Sequence, residues 1–183
     1  MREQDLNIVG KALDFASQAH GDQKRKYTGE AYTVHLVEVM NIVRSVVRDD
    51  EMLAAALLHD TVEDTATTVA DIQKSFGSRV AKLVDELTDV SKPEDGNRAT
   101  RKGIDRAKLA GVSADAQTIK LADLISNAKD IAVNDPSFAK VYMDEKRQLL
   151  AVLTKGNAQL MKQAQDIVAN YYEKTNKYGS SSS

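Results

Sequence analysis

The sequence contains no cysteine, no tryptophan and only two prolines among its 183 residues. The lack of cysteine excludes disulfides, thiolate metal sites, cysteine nucleophiles and thiol redox chemistry. Two prolines and nine glycines are also few for an all-β chain, which needs many turns. Because the only histidines are His20, His35 and His59, any histidine-based chemistry has three candidates.

The chain also lacks a strong excess of either charge. Lys and Arg together number 25, Asp and Glu number 27, and the formal net charge is −2. Neither nucleic acid nor an anionic membrane is therefore indicated as the main partner. The longest uncharged apolar run, MLAAALL at 52–58, is too short to span a bilayer. The N-terminal segment predicts an amphipathic helix rather than a secretion signal, so we expect a cytoplasmic protein.

Helical periodicity recurs along almost the whole chain. The first segment shows it with Leu6, Val9 and Leu13, which are spaced three and four residues apart. The length is a little over that of one typical domain, and 42% of the residues are hydrophobic, enough for one core. We predict an all-α domain of roughly eight helices over residues 1–175. A disordered tail, ending in glycine and serines, is expected over 176–183.

Acids and small polar residues predict several helix boundaries. A third helix is expected to begin at Asp49-Asp50, where acids suit a helix N-terminus, and to continue through AAALLHDTVED. Thr67 or Thr68 is expected to cap a short helix, and Ser78 to cap the next one.

The segment LLHDTVED, residues 57–64, is the most informative for chemistry. On a helix, His59 and Glu63 share one face, as do Asp60 and Asp64, about 6 Å apart along the axis. Adjacent His and Asp side chains can offer a nitrogen and an oxygen to one cation, and a carboxylate one turn later can reach a water on that cation. The alternative is a helix end with solvated acids. Such crowding beside a buried run is costly unless a cation compensates it.

Two further residues can complete a metal site. His35 lies on an apolar helix, in VHLVEV, where the alternative is a core or boundary histidine. Asp123 lies in the mostly apolar IKLADLISN, where the alternative is an ion pair with Lys120 or Lys129. With the histidine and aspartate of LLHDTVED they form a nitrogen and oxygen donor set. This set is compatible with Mn²⁺, Fe²⁺, Mg²⁺ or Zn²⁺, although two imidazoles disfavour a dedicated Mg²⁺ or Ca²⁺ cage.

Positive charge is clustered in two places within this nearly neutral chain. The first is the segment KRK at 24–26, and the second is a helical stripe of Arg98, Arg101, Lys102 and Arg106. A solvated basic face is one interpretation, and phosphate recognition by bidentate arginine is the other. Aromatic residues make up only 5% of the chain, which favours a small polyanion over a long nucleic acid.

The order of several motifs resembles one enzyme family. The succession AHGDQKRKYTGEAYTVH, AAALLHDTVEDT, FGSRVAKLVDELTDVSK, NRATRK and IKLADLISN is similar to the HD-domain hydrolases of the alarmone (p)ppGpp. It most resembles the standalone small alarmone hydrolases, including the metazoan SpoT-like member, and the motifs span about residues 10–150 in family order. The resemblance implies a single HD-domain helical bundle.

The resemblance also implies an activity and residue roles. The activity is Mn²⁺-dependent hydrolysis of the 3′-diphosphate of ppGpp or pppGpp to GDP or GTP and pyrophosphate, with no synthetase activity. Four residues would hold the metal: His35, His59, Asp60 and Asp123. Two carboxylates would orient or deprotonate the attacking water: Glu63 and Asp64. Five side chains would contact the nucleotide: Arg25, Lys26, Asn127, Arg101 and Lys102.

Some positions differ from the commonest family pattern. Ala31 stands where a proline often precedes Tyr32, while Leu124 and Ser126 replace the Arg and His often found after the metal-binding Asp of the long bifunctional enzymes. These positions flank the implied nucleotide pocket, so they leave the base open. The alternatives are hydrolysis of (p)ppApp, removal of the 2′-phosphate of NADPH, a broader HD nucleotidase, or a non-catalytic nucleotide-binding helical module. The expected partner is a small nucleotide, neither nucleic acid nor a membrane, and the oligomeric state is open.

Overall fold

Helices account for most of residues 7–179, the part of the chain that the computed structural model describes. The helices of that part are α1 Ile8–His20, α2 Tyr32–Arg44, α3 Asp50–Leu58, α4 Thr61–Asp64, α5 Val69–Phe76, α6 Ser78–Leu87, α7 Arg98–Gly111, α8 Ala114–Asn134, α9 Pro136–Leu150 and α10 Ala158–Gly179. A 3-10 turn at Pro93–Asp95 precedes α7. Extended pairing over 7–179 is limited to an isolated bridge between Lys24 and Ala31. The all-α prediction is confirmed, and α4 is a single turn.

Side-chain caps fix several of the helix starts. The Asp49 carboxylate accepts hydrogen bonds from two backbone N–H groups at the start of α3, as expected for an acid there. Thr68 caps α5 in a reciprocal arrangement with Asp71. The prediction of Ser78 as a cap is wrong, because Ser78 is already the first helical residue. Gly77, with φ of +89°, both ends α5 and precedes α6.

The third helix ends earlier than its sequence pattern predicts. α3 ends at Leu58, a turn of two residues follows, and Thr61 begins α4. Asp60 adopts φ of −97° and ψ of −3°, outside the regular helical region, and its carbonyl accepts the N–H of Asp64. The prediction of one continuous helix through Asp64 is therefore wrong. The two-residue turn directs the side chains of His59 and Asp60 to one point.

The central helix of the core is α3, in which every residue over 52–58 is buried. It packs against α1, α2, α6 and α8, which explains why its apolar run is continuous rather than confined to one stripe. α8 is the second buried helix and packs against α2, α6, α9 and α10. The candidate site thus lies where α2, α3 and α8 meet.

The two ends of the chain extend beyond the described range. α10 continues to Gly179, into the segment predicted as a tail, while residues 180–183 lie outside the described residues. The boundary after residue 175 stays a prediction. Residues 1–6, including Leu6 of the first predicted helix, also lie outside that range. Between residues 7 and 179 the structure has no helix with both the length and the apolar character needed to cross a membrane.

Candidate active site

Three helices bring the four predicted metal ligands together. His35 lies in the first turn of α2, His59 and Asp60 follow α3 directly, and Asp123 lies in the middle of α8. The His35 Nε2 atom is 3.3 Å from Asp123 Oδ1 and 3.7 Å from Asp60 Oδ2. The His59 Nε2 atom is 3.1 Å from Asp60 Oδ2 and 3.6 Å from Asp123 Oδ1. Two nitrogens and two oxygens thus converge on one point.

Hydrogen bonds at Nδ1 orient both imidazoles. His59 Nδ1–H donates to the carbonyl of Ala56 at 2.7 Å, and His35 Nδ1–H donates to Ser126 Oγ at 2.9 Å. The Ser126 hydroxyl in turn donates to Glu38 Oε2 at 2.9 Å. These bonds leave each Nε2 directed into the cluster, where it is buried and makes no hydrogen bond within the described residues. Such orphaned nitrogens are the normal state of imidazoles that ligate a metal.

The donor set fits a divalent cation. The ligating atoms of His35, His59 and Asp123 all lie within 4.8 Å of one another, close enough to surround one ion. The three residues are buried, and Asp60 adds a further oxygen beside both histidines. Mixed imidazole and carboxylate donors suit a transition-metal ion better than Ca²⁺ or Mg²⁺. The described residues therefore include a group that could hold a metal ion.

The electrostatics of the cluster favour a cation as well. Burial opposes a charge on the His59 imidazole, but the Asp60 and Asp123 carboxylates outweigh it and raise the pKa of His59 well above its ordinary value. Burial also opposes the Asp60 charge, yet His59 lowers the pKa of Asp60 to about 2. Lys120 is the main group that holds the pKa of Asp123 well below its usual range, against burial. Both carboxylates are thus ionised and attract a proton or a metal.

Three further side chains hold the carboxylates in place. The Tyr32 hydroxyl donates to Asp60 Oδ2 at 2.6 Å. Lys120 Nζ donates to Asp123 Oδ2 at 2.8 Å, and Asn127 Nδ2 donates to Asp123 Oδ1 at 2.7 Å. The ion pair with Lys120, considered as an alternative role for Asp123, is therefore present next to the imidazoles. Sequence reasoning missed the contact of Tyr32, since no local spacing links it to a residue 28 positions later.

The two predicted catalytic carboxylates lie in the single turn of α4. The Glu63 carboxylate accepts the N–H of Asp89 at 3.2 Å, and Asp64 Oδ2 accepts Gln23 Nε2 at 3.4 Å. Burial raises the pKa of Glu63, helped by the Asp89 charge. Burial also raises the pKa of Asp64, helped by Asp60. Two carboxylates with raised pKa values thus lie beside the metal-ligand cluster, as proton acceptors require.

A cavity of about 140 Å³ adjoins the cluster at His35. It brings together three of the five predicted nucleotide contacts: Arg25, Lys26 and Asn127. The buried guanidinium of Arg25 is held by Glu38 at 3.3 Å and by Asp130 at 2.5 Å. A guanidinium fixed in this way still has N–H groups for a ligand, because it carries five donors.

The other two predicted contacts lie elsewhere. Lys102 lines a second cavity, of about 40 Å³, together with Lys120, and its Nζ lies 3.1 Å from Asp89 Oδ2. Arg101 lines neither cavity, although its Nε is buried and lacks a hydrogen bond within the described residues. Arg98, from the same predicted stripe, forms an ion pair with Glu145 at 2.7 Å. The structure therefore separates the two basic clusters.

Ser126 provides a test of how the imidazoles are held. Ser126→Ala removes the acceptor that fixes His35 Nδ1–H, so the ring can rotate, and we expect metal affinity to fall about 10- to 100-fold. Isothermal titration of the metal-free protein with Mn²⁺ measures this. Ser45→Ala is the matched control, since the exposed Ser45 hydroxyl donates only to the carbonyl of Ile42. Equal affinities in the two variants would contradict the proposed orientation by Ser126.

Comparisons with known proteins find a matching family and similar proteins. A family model described as HD domain matches residues 12–158. A guanosine-3′,5′-bis(diphosphate) 3′-pyrophosphohydrolase of Aquifex aeolicus is 37% identical over 81% of this chain, which spans only 20% of that protein's length. A second guanosine-3′,5′-bis(diphosphate) 3′-pyrophosphohydrolase, MESH1 of Drosophila melanogaster, is 38% identical. The match covers 69% of this chain and 71% of the length of MESH1. A solved structure is described as a metazoan orthologue of SpoT that hydrolyses ppGpp. It matches this chain with a TM-score of 0.82 and 30% sequence identity, and the match covers 92% of this chain and 98% of the chain in that structure.

Proposed function

Because the chain belongs to the HD domain family, we propose that it is a metal-dependent hydrolase that removes the 3′-diphosphate of ppGpp or pppGpp and yields GDP or GTP and pyrophosphate. The observation that carries the proposal is the buried cluster of two orphaned imidazole nitrogens and two carboxylates beside an acidic pair. The Drosophila relative and the metazoan structure, both described as acting on ppGpp, support the choice of substrate. The proposal keeps the cytoplasmic location expected from the sequence.

We assign Mn²⁺ to the site formed by His35, His59, Asp60 and Asp123. Two imidazoles with two carboxylates, and no thiolate, form a donor set that suits this ion. When bound, the metal would supply Lewis-acid polarisation of a phosphoryl oxygen and a lowered pKa for water. The orientation of both Nε2 atoms by Ala56 and Ser126 supports the assignment, because it needs no rearrangement of the rings.

Glu63 and Asp64 would position the attacking water and accept its proton. The water oxygen forms a bond to the phosphorus that carries the nucleotide 3′ oxygen, the bond between that phosphorus and the 3′ oxygen breaks, and the 3′ oxygen gains a proton. The hydrogen bonds from Asp89 and Gln23 fix the two carboxylates while leaving further lone pairs free. Raised pKa values make both groups better matched proton acceptors near neutral pH.

Arg25, Lys26 and Asn127 would hold the nucleotide in the larger cavity. Asn127 contacts Asp123 directly, so a phosphate bound beside Asn127 lies next to the metal ligands. Arg25 is fixed by two acids before any ligand arrives, which reduces the entropy lost on binding. Charge-assisted hydrogen bonds from these residues would also offset the negative charge of the phosphate oxygens.

Product analysis tests the proposal. The purified protein is incubated with ppGpp, ppApp or NADPH, each with Mn²⁺ and with a chelator, and the products are separated by ion-exchange chromatography. We expect equal amounts of GDP and pyrophosphate from ppGpp with Mn²⁺, and a loss of about a thousandfold or more with chelator, since metal catalysis supplies several kcal/mol.

Each other outcome contradicts the proposal in a different way. Pyrophosphate released faster from ppApp would assign the enzyme to adenosine alarmones, and inorganic phosphate released from NADPH would make it a 2′-phosphatase. Equilibrium binding of ppGpp without turnover in Mn²⁺ would make the protein a nucleotide-binding module.

A further inference from the structure

The smaller cavity lies on the other side of Asp123 along α8. Lys120 precedes Asp123 by one turn and lines this cavity, whereas Asn127 follows by about one turn and lines the larger one. Since the rise is about 1.5 Å per residue, Lys120 and Asn127 lie about 10 Å apart along α8, on either side of Asp123. A substrate that spans the cluster would therefore extend into both.

Two of the lysines that line the smaller cavity are already paired with acids. Lys102, from α7, lies 3.1 Å from Asp89. Lys120 lies 2.8 Å from Asp123. Asp89, which lines the cavity, therefore already has a cationic partner.

The remaining acids are also occupied. Glu145 makes two hydrogen bonds with Arg98, at 2.7 and 2.9 Å. Asp105 accepts three bonds from the loop at 90–91, at 2.7 to 3.0 Å. Lys146, from α9, lines the same cavity but has no hydrogen bond or ion pair within residues 7–179. Its Nζ lies over the Tyr142 ring, 4.6 Å from the centre, and the buried Tyr142 hydroxyl also lacks a partner.

An unpaired ammonium in this position is costly for the fold. Burial is the main cause that lowers the pKa of Lys146, to about 8, and the Lys120 charge adds to it. The group still carries a proton at neutral pH, so the free protein keeps two like charges close together. Such charges normally require an anion nearby.

We propose that Lys146, together with Lys102 and Lys120, forms a subsite for the outer phosphate of the departing diphosphate. This inference rests on the proposed function for the identity of the substrate. The cavity volume of about 40 Å³ exceeds the roughly 10–15 Å³ that one water needs, so phosphate oxygens have room there. Pyrophosphate would then extend from the metal-ligand cluster at one end to the three lysines at the other.

Binding of inorganic pyrophosphate tests this subsite without any turnover. The Mn²⁺-loaded protein is titrated with pyrophosphate. The concentration of free Mn²⁺ is the same in the protein solution and in the pyrophosphate solution. We expect Lys146→Gln to weaken binding about tenfold or more and Lys146→Arg to retain most of it. Lys140→Gln is the matched control on the same helix, since Lys140 is exposed and pairs with Asp144, and its affinity should equal that of the wild type.

Thermal unfolding separates lost binding from lost folding. Lys146→Gln should be at least as stable as the wild type at pH 7, because the substitution removes a charge that repels Lys120. Wild-type pyrophosphate affinity in Lys146→Gln, or no binding to the wild type, would overturn the subsite. Since pyrophosphate is added directly, this result is obtained even if ppGpp proves not to be the substrate.

Discussion

His59→Ala is expected to give a folded protein that neither retains Mn²⁺ nor hydrolyses ppGpp. The substitution removes one of two imidazole donors from a site with two carboxylates, and the turn after α3 offers no replacement. Because metal catalysis contributes several kcal/mol, the rate should fall about a thousandfold or more. Metal content by elemental analysis and the rate of pyrophosphate release measure the two effects.

The variant should keep its helices because the core does not depend on this ring. The buried run at 52–58 ends before His59, and Asp60 and Asp123 keep their bonds from Tyr32, Lys120 and Asn127. Far-UV circular dichroism is therefore expected to match the wild type. Added Mn²⁺ should raise the melting temperature of the wild type only, since a ligand stabilises only the state that binds it.

A second ligand variant sharpens the test. Asp60→Ala should lose metal and activity in the same way, whereas Asp166→Ala, which removes an exposed partner of Lys162 on α10, should change neither. Turnover retained in a metal-free double variant of His59 and Asp60 would refute the assigned metal site.

Residue types and local spacing were sufficient to predict much of this site. The segment at 57–64 combined a histidine, an aspartate and two later acids after an apolar run, and the structure places the first two in the cluster and the others beside it. The buried positions of His35 and Asp123 could be suspected because ionisable groups are uncommon on apolar helices. These features depend only on residues close together in the chain.

Contacts between distant segments could not be predicted from the sequence. The bond from Tyr32 to Asp60 and that from His35 to Ser126 join residues 28 and 91 positions apart, and no periodicity encodes them. The end of α3 at Leu58 was also missed. A 3.6-residue pattern records which face is apolar, and the polar residues that follow are equally compatible with a continued helix or a turn.

The sequence showed two basic segments, but it did not show that their members line separate cavities. From the sequence, Arg25 and Lys102 were expected to belong to two basic clusters that bind the same nucleotide. In the structure they line cavities on either side of Asp123. Lys146 gave no signal, because a lysine in a helical segment is ordinarily exposed. Only packing of α9 against α8 brings it near Lys120.

Glu63→Gln is expected to lower kcat about 100- to 10,000-fold, the usual contribution of a general base. Metal affinity should change less than about threefold, since Glu63 is not among the proposed ligands. The glutamine oxygen can still accept the N–H of Asp89, so the substitution removes the charge and leaves the hydrogen bond. Glu94→Gln, at an exposed position in the 3-10 turn, is the control and should leave kcat unchanged.

The pH profile separates a proton acceptor from a residue that only positions water. Burial raises the pKa of Glu63 above its ordinary value of 4.5, so wild-type kcat should begin to fall at a higher pH than an exposed glutamate would give. Activity requires the deprotonated form, so it is lost as pH decreases through that pKa. This decrease at low pH should be absent from the residual activity of Glu63→Gln. The opposite result would be that Asp64→Asn abolishes the decrease in kcat at low pH, while Glu63→Gln retains this decrease and at least a tenth of the wild-type kcat. In that case the base is Asp64, and Glu63 positions the water.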